Sequence, residues 1–144
     1  MFGGDRSALR AFYRGAWRKR HEEETLEPLE RLVTRVIEMH PEFVPVIEDA
    51  STLQRDFPEG NPYLHMGLHI ALHEQLAADR PAGVRRLYQR ILKRFADAHD
   101  AEHAMMTCLQ AVMLDAQARG VGLDGGAERR YLSDLERLTK SRRR

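Results

Sequence analysis

The sequence predicts an all-α protein, a single-domain bundle of about five or six helices. Along most of the chain, apolar residues recur three and four positions apart, which is the period of an amphipathic helix. No sustained run of β-branched residues alternates with polar ones, as a strand would require. Asp, Pro and Gly instead fall where one helical pattern ends and the next begins. Because 144 residues are enough for one domain with its own core, we expect residues 1–140 to form one helical domain and 141–144 a basic tail.

Composition limits the function classes. Apolar residues make up 42% of the chain and charged residues 31%, which argues against both disorder and a membrane-spanning protein. The 23 basic and 22 acidic residues leave a net charge of +1, so no overall field recruits nucleic acid. A signal peptide needs an apolar stretch near its start, but this chain carries Asp5, Arg6 and Arg10 there. We therefore expect a cytoplasmic protein.

Start and stop signals place the helices of the first half. Asp5 is a capping residue for the first helix, Pro28 suits the first turn of the second, and Pro41 ends that helix and opens a short one. The predicted helices run from Asp5 to about Glu23, from Glu27 or Pro28 to His40, and from Pro41 to Ile47. The segment Ala50 to Gly60 is predicted to be a loop whose Leu53 and Phe57 reach the core.

The second half is punctuated more clearly. Asn61 and Pro62 form a cap and first-turn pair, Pro81 opens the next helix, and Asp97 and Asp124 are capping residues. Gly120 suits the position after a helix end. The predicted helices run over 61–79, 81–95, 97–120 and 124–140.

The histidines are the most informative chemical feature of the chain. At about 100° per residue, His65, His69 and His73 fall in the middle of a wide apolar arc of their helix. On the helix over 97–120, His99 and His103 lie together on a face with methionine and leucine, and Glu102 lies among further apolar residues. We therefore expect these histidines and Glu102 to point inward.

Two of these pairs have the spacing of metal ligands. Residues i and i+4 lie about 5 to 6 Å apart on a helix, so both imidazoles can reach one ion. We predict one transition-metal ion bound by histidines of both helices, with Glu102 and His40 nearby as further ligands or as residues that orient one. The full predicted set is His40, His65, His69, His99, Glu102 and His103. Imidazole ligands favour zinc or iron, with copper and nickel as alternatives, over magnesium or calcium.

Three other interpretations stay open. The histidines can instead be half-buried residues that hydrogen-bond one another and structural acids. The segment His99 to His103 also matches the H-x-x-E-H pattern of some zinc peptidases, although those enzymes are far longer, so whether the protein is an enzyme is undecided. The chain can also be a non-enzymatic interaction module that binds nucleic acid or another anionic partner. Its binding surface would be the basic face over 81–95, formed by Arg85, Arg86, Arg90, Lys93 and Arg94.

Two further patterns predict no site. The segment Gly120 to Gly125 fits G-x-G-x-x-G, but it follows a predicted helix rather than a strand, so we expect no nucleotide cofactor. Cys108 is the only cysteine, which excludes an internal disulfide, and we expect a small packing residue there.

Several longer stretches carry a resemblance to a known family. They are Asn61 to His69, Asp79 to Gly83, Ala98 to Met106, Phe12 to Lys19, Leu26 to Glu30 and His40 to Glu42. Together they resemble a small bacterial family catalogued as domain of unknown function 1841, over nearly the whole chain. The resemblance implies a cytosolic proteobacterial protein and implies no activity.

Overall fold

A computed structural model of the chain describes residues 6–58 and 60–140. This part of the chain contains seven α-helices, two short 3₁₀ helices and no strand, which confirms the all-α prediction. The α-helices are α1 (Arg6–His21), α2 (Pro28–Glu38), α3 (Val44–Glu48), α4 (Pro62–Ala78), α5 (Val84–Leu92), α6 (Ala98–Ala118) and α7 (Gly125–Leu138). The 3₁₀ helices cover Pro41–Phe43 and Ala50–Leu53. The predicted cap Asp5 and the predicted basic tail over 141–144 lie outside the described residues.

The chain divides into two compact units, residues 1–70 and 71–144, and the boundary falls within α4. In the first unit α1 packs against α2, α3 and the second 3₁₀ helix. Its core is apolar and largely aliphatic, with three aromatic side chains. The core consists of Tyr13, Ala16, Trp17, Val33, Val36, Ile37, Ile47, Tyr63, Met66 and Ile70.

In the second unit α6 packs against α7, and α5 contacts both. Each of the three helices contributes a buried apolar stripe at helical spacing. The buried positions include Val84, Leu87 and Ile91 on α5, Met105, Leu109 and Val112 on α6, and Tyr131 and Leu135 on α7. Tyr131 also donates a hydrogen bond to Gln75 Oε1 at 2.7 Å.

The predicted capping residues match the helix starts. Glu27 and Glu30 form a capping box at the start of α2. The Glu27 side chain accepts the backbone N–H of Glu30, and the Glu30 side chain accepts that of Glu27. Asp97 accepts from the backbone N–H of Asp100, and Asp124 accepts from those of Gly126 and Ala127. Local hydrogen bonding of these side chains therefore places the ends of the helices.

The largest difference from the prediction lies in the helix expected over 81–95. The structure begins α5 at Val84, after Gly83 in a left-handed conformation with φ of 96°, and ends it at Leu92. Pro81 lies in the preceding turn, which the bond from Val84 N to Pro81 O closes at 3.0 Å. The helix ends early because the chain leaves the α-helical hydrogen-bond pattern at Lys93. Arg94 N bonds to Ile91 O at 2.8 Å, which is the three-residue spacing of a turn tighter than the α-helix. The total of seven α-helices is slightly above the five or six predicted.

No helix among the described residues is both long enough and apolar enough to cross a membrane.

Candidate metal centre

The first unit brings three of the predicted ligands together. His65 and His69 occupy successive turns of α4, whose start is held by Asn61. The Asn61 side-chain oxygen accepts from the backbone N–H of Tyr63 at 3.0 Å and of Leu64 at 3.3 Å. The two imidazole rings lie 4.9 Å apart between centroids, and His69 is fully buried. The i, i+4 spacing therefore produces the side-by-side pair that the sequence predicts.

His40 follows the end of α2 and is also buried. Its Nδ1 lies 2.8 Å from the backbone oxygen of Val36. A carbonyl oxygen only accepts hydrogen bonds, so Nδ1 must carry the proton, and in the neutral ring Nε2 keeps its lone pair. The ring of Phe43 stacks on His40 at 5.0 Å with an angle of 5° between the planes, which holds the imidazole in this orientation.

The Nε2 atom of His40 faces the α4 histidines. His40 Nε2 lies 3.1 Å from His65 Nε2, and the His40 ring centroid is 4.7 Å from that of His69. One ring nitrogen from each of the three residues lies within 4.8 Å of the other two. Nitrogens that share a tetrahedral zinc ion at about 2.0–2.1 Å are separated by about 3.3 Å. The distance between His40 Nε2 and His65 Nε2 fits this separation, and a ring nitrogen of His69 lies within 4.8 Å of the other two.

The residues of the second unit form two other groups. His73 Nε2 donates a hydrogen bond to Glu102 Oε1 at 3.0 Å, and the Glu102 side chain is buried. On α6 the rings of His99 and His103 lie 4.2 Å apart, and both residues are half-buried. Glu102 is thus the hydrogen-bond partner of His73, a histidine outside the predicted ligand set.

The Glu102 carboxylate also affects a neighbouring tyrosine. The pKa of Tyr88 on α5 is raised, first by partial burial and then by the negative charge of Glu102. Tyr88 therefore stays a neutral hydrogen-bonding group at physiological pH.

The basic face of α5 is partly used by the second unit itself. The guanidinium of Arg85 donates to the backbone oxygens of Leu76 and Ala77 at 3.0 and 2.9 Å, where it satisfies carbonyls at the end of α4. Arg90 pairs with Glu136 on α7 at 3.1 Å. These two arginines are less available to an anionic partner than the sequence suggests.

The two weaker sequence patterns have structural explanations. Burial raises the pKa of the Cys108 thiol to about 11, so the side chain is a protonated packing group. Gly120 has a φ of 68° just after α6, where an L-amino acid with a side chain would be strained. The glycine-rich segment is therefore the turn between α6 and α7.

The sequence did not reveal what holds His40 in place. Val36, whose backbone oxygen accepts the hydrogen bond, lies one helical turn before His40. The sequence signal for this contact was a histidine four residues after a residue of the predicted second helix. The stacking partner Phe43 is visible only as an aromatic residue shortly after Pro41.

Fold and site together define an all-α protein with a buried cluster of histidines in its first unit. A family model described as "Domain of unknown function (DUF1841)" matches residues 5–137, so the chain belongs to this family. Searches of the curated proteins and of the solved structures found no match.

Proposed function

We propose that this protein binds one transition-metal ion through His40, His65 and His69. The observation that supports this most strongly is the fixed tautomer of His40. Its protonated Nδ1 is held by Val36, and its Nε2 lone pair lies 3.1 Å from His65 Nε2. A carbonyl on one ring nitrogen with a metal on the other is the usual arrangement of histidine ligands.

The donor set favours zinc or iron. Three neutral imidazoles suit borderline metal ions, including copper and nickel, whereas magnesium and calcium take oxygen ligands. His40 and His69 are buried, and an ion at their ring nitrogens would offset part of the solvation that the imidazoles lose.

The number of ligands decides what the ion does. Three histidines would leave a tetrahedral zinc ion with an open position for water, as in zinc enzymes, and a fourth protein ligand would close the shell for a structural role. We extend the proposal to His103 as the fourth ligand, because the sequence places it on an inward histidine pair. His99 stays proposed as a further ligand, and Glu102 as a ligand or as a residue that orients one.

Metal analysis of the untagged protein tests the proposal. We expect close to one zinc or iron ion per chain after purification, and one cobalt ion after chelation and reloading with cobalt chloride. The visible absorption of bound cobalt is expected to show four-coordinate geometry. His65→Gln and His69→Ala are expected to lose the ion and the cobalt bands.

The matched control is His21→Ala, which removes an exposed histidine whose Nδ1 lies against Trp17 O. This variant is expected to keep the full metal content. His69 is fully buried, so replacing it also disturbs the packing around it. His65 is only half-buried, so His65→Gln perturbs packing less, and the metal contents of the two variants are compared. Equal metal content in His65→Gln, His21→Ala and the natural protein would refute the proposal.

The variant His103→Ala tests the fourth ligand separately. If His103 is a ligand, the cobalt spectrum changes while His40, His65 and His69 still hold the ion. An unchanged spectrum and affinity would exclude His103 and leave the three-histidine site intact.

A further inference from the structure

A cavity of about 390 Å³ opens along α1 in the first unit, apart from the histidine cluster. Its volume lies within the range of about 300 to 1,000 Å³ that is typical of small-molecule sites. Ala11, Gly15, Trp17 and Leu53 form an apolar floor, and the wall carries the ionisable side chains Arg14, Arg18, His21, Glu22 and Glu48. Arg18 and Glu22 form an ion pair with each other, whereas Arg14 and Glu48 make the contacts described next.

Gly15 forms part of the floor, in the middle of α1. A glycine inside a helix costs about 1 kcal/mol relative to alanine. Outside the backbone of α1, no atom of the described residues lies within 4 Å of the place where a Cβ at Gly15 would stand. Packing within the described chain therefore does not require the glycine, whereas an occupant of the cavity would lie against it.

Two charged groups on the cavity wall have unused hydrogen-bonding capacity. Arg14 Nε donates to the backbone oxygen of Glu48 at 3.4 Å, and its two terminal amino groups have no partner among the described residues. The Glu48 carboxylate accepts the indole N–H of Trp17 on Oε2 at 3.1 Å, while its Oε1 likewise has none there. Glu48 thus bonds to the indole rather than to the nearby guanidinium.

We propose that this cavity binds a small zwitterion of the amino-acid type with an apolar side chain. The terminal amino groups of Arg14 form a planar fork that matches a carboxylate. The Glu48 carboxylate would accept from an ammonium group, and Trp17 orients it through the indole N–H. Ala11, Gly15 and Leu53 supply the apolar contact. A ligand with both charges suits the open terminal amino groups of Arg14 and the second carboxylate oxygen of Glu48.

The test uses L-phenylalanine as the probe and Trp17 as the reporter. Trp17 is the only tryptophan, so its indole N–H gives one identifiable NMR signal. Because this N–H bonds to Glu48, we expect phenylalanine to shift the signal saturably. We expect 3-phenylpropanoate, which lacks the ammonium, and phenethylamine, which lacks the carboxylate, to bind at least about tenfold more weakly.

Variants locate the site. Arg14→Gln is expected to weaken phenylalanine binding about tenfold or more, because it removes a charged hydrogen-bond donor. Gly15→Leu fills the cavity and is expected to abolish binding. The control Gly122→Leu also places a leucine where nothing lies within 4 Å, but on the α6–α7 turn, and is expected to bind normally.

Three results would overturn the proposal. One is an indole signal that phenylalanine does not move at millimolar concentration. Another is binding that persists unchanged in both Arg14→Gln and Gly15→Leu. Binding of phenylalanine and of 3-phenylpropanoate with equal affinity would also reject the zwitterion, since Glu48 would then play no part.

Discussion

Arg10 is a cation buried in the first unit, where its guanidinium ties α1 to the segment after α3. Its Nη1 donates to the backbone oxygens of Thr52 at 3.0 Å and Arg55 at 2.7 Å. The guanidinium carbon also lies 4.8 Å from the centroid of the Tyr63 ring. The arginine therefore supplies a charged donor to both carbonyl oxygens, in addition to the backbone N–H of Arg55 that the Thr52 oxygen accepts at 3.3 Å.

Replacing this residue is expected to destabilise the protein. Arg10→Met removes two charge-assisted hydrogen bonds from a buried position, and we expect the free energy of unfolding to fall by about 2–4 kcal/mol. Urea unfolding followed by Trp17 fluorescence measures the change. The control Arg35→Met alters an exposed arginine and should stay within about 0.5 kcal/mol of the natural protein. Equal losses in the two variants would contradict the role of Arg10.

Cys108 provides a second test at this scale. Because burial raises the pKa of its thiol to about 11, little thiolate exists at pH 8. We expect iodoacetamide to alkylate the folded protein at least about tenfold more slowly than the urea-unfolded chain, measured by intact mass. Equal rates would show that the thiol is exposed and ionised like that of a free cysteine.

At the scale of the element, the start of α2 depends on the capping box. Glu30 accepts the backbone N–H of Glu27 at 2.8 Å and pairs with Lys19 of α1 at 2.9 Å. Both interactions favour the charged carboxylate, and the pKa of Glu30 is lowered, first by the backbone hydrogen bond and then by Lys19. One side chain thus caps α2 and links it to α1.

The sign of this shift predicts a pH dependence. A carboxylate whose folded pKa is below its unfolded value of about 4.3 stabilises the protein fully above that pH. The stabilisation is lost as the pH falls through the folded pKa. We therefore expect the stability difference between the natural protein and Glu30→Gln to be constant from pH 8 to about pH 5 and to shrink below about pH 4.3. A difference that persists unchanged at pH 3, measured by urea unfolding, would rule out the charge as its source.

For the whole molecule, the proposed ion would link ligands that lie far apart in the sequence. His40 follows α2, whereas His65 and His69 lie on α4, more than twenty residues later. An ion bound to the folded state alone stabilises it by mass action, about 2.7 kcal/mol at a free concentration of 100 times Kd. Metal binding would therefore stabilise the first unit as well as occupy a site.

We expect zinc to raise the thermal midpoint of the chelator-treated protein and EDTA to reverse the rise. His65→Gln should lose most of this response, because the folded state then has one ligand fewer. Differential scanning calorimetry with and without zinc measures the effect, with His21→Ala as the control. The same zinc-dependent rise in His65→Gln and in the natural protein would point to binding elsewhere.

The sequence by itself determined the all-α class, the caps at Asn61, Asp97 and Asp124, and the pairing of His65 with His69. These features depend on residues within one or two turns of each other, and helix geometry then decides which side chains meet. The sequence-based prediction misplaced the ends of α5. The turns before Val84 and after Leu92 depend on backbone conformations that residue type alone does not specify.

Only the tertiary structure decided that His40 lies against His65, with 3.1 Å between their Nε2 atoms, and that Glu102 pairs with His73. The same is true of the cavity beside Gly15, whose walls come from α1 and from the segment around Glu48. Each of these contacts joins residues more than twenty positions apart. Such contacts depend on how the core packs, and no local periodicity encodes that packing.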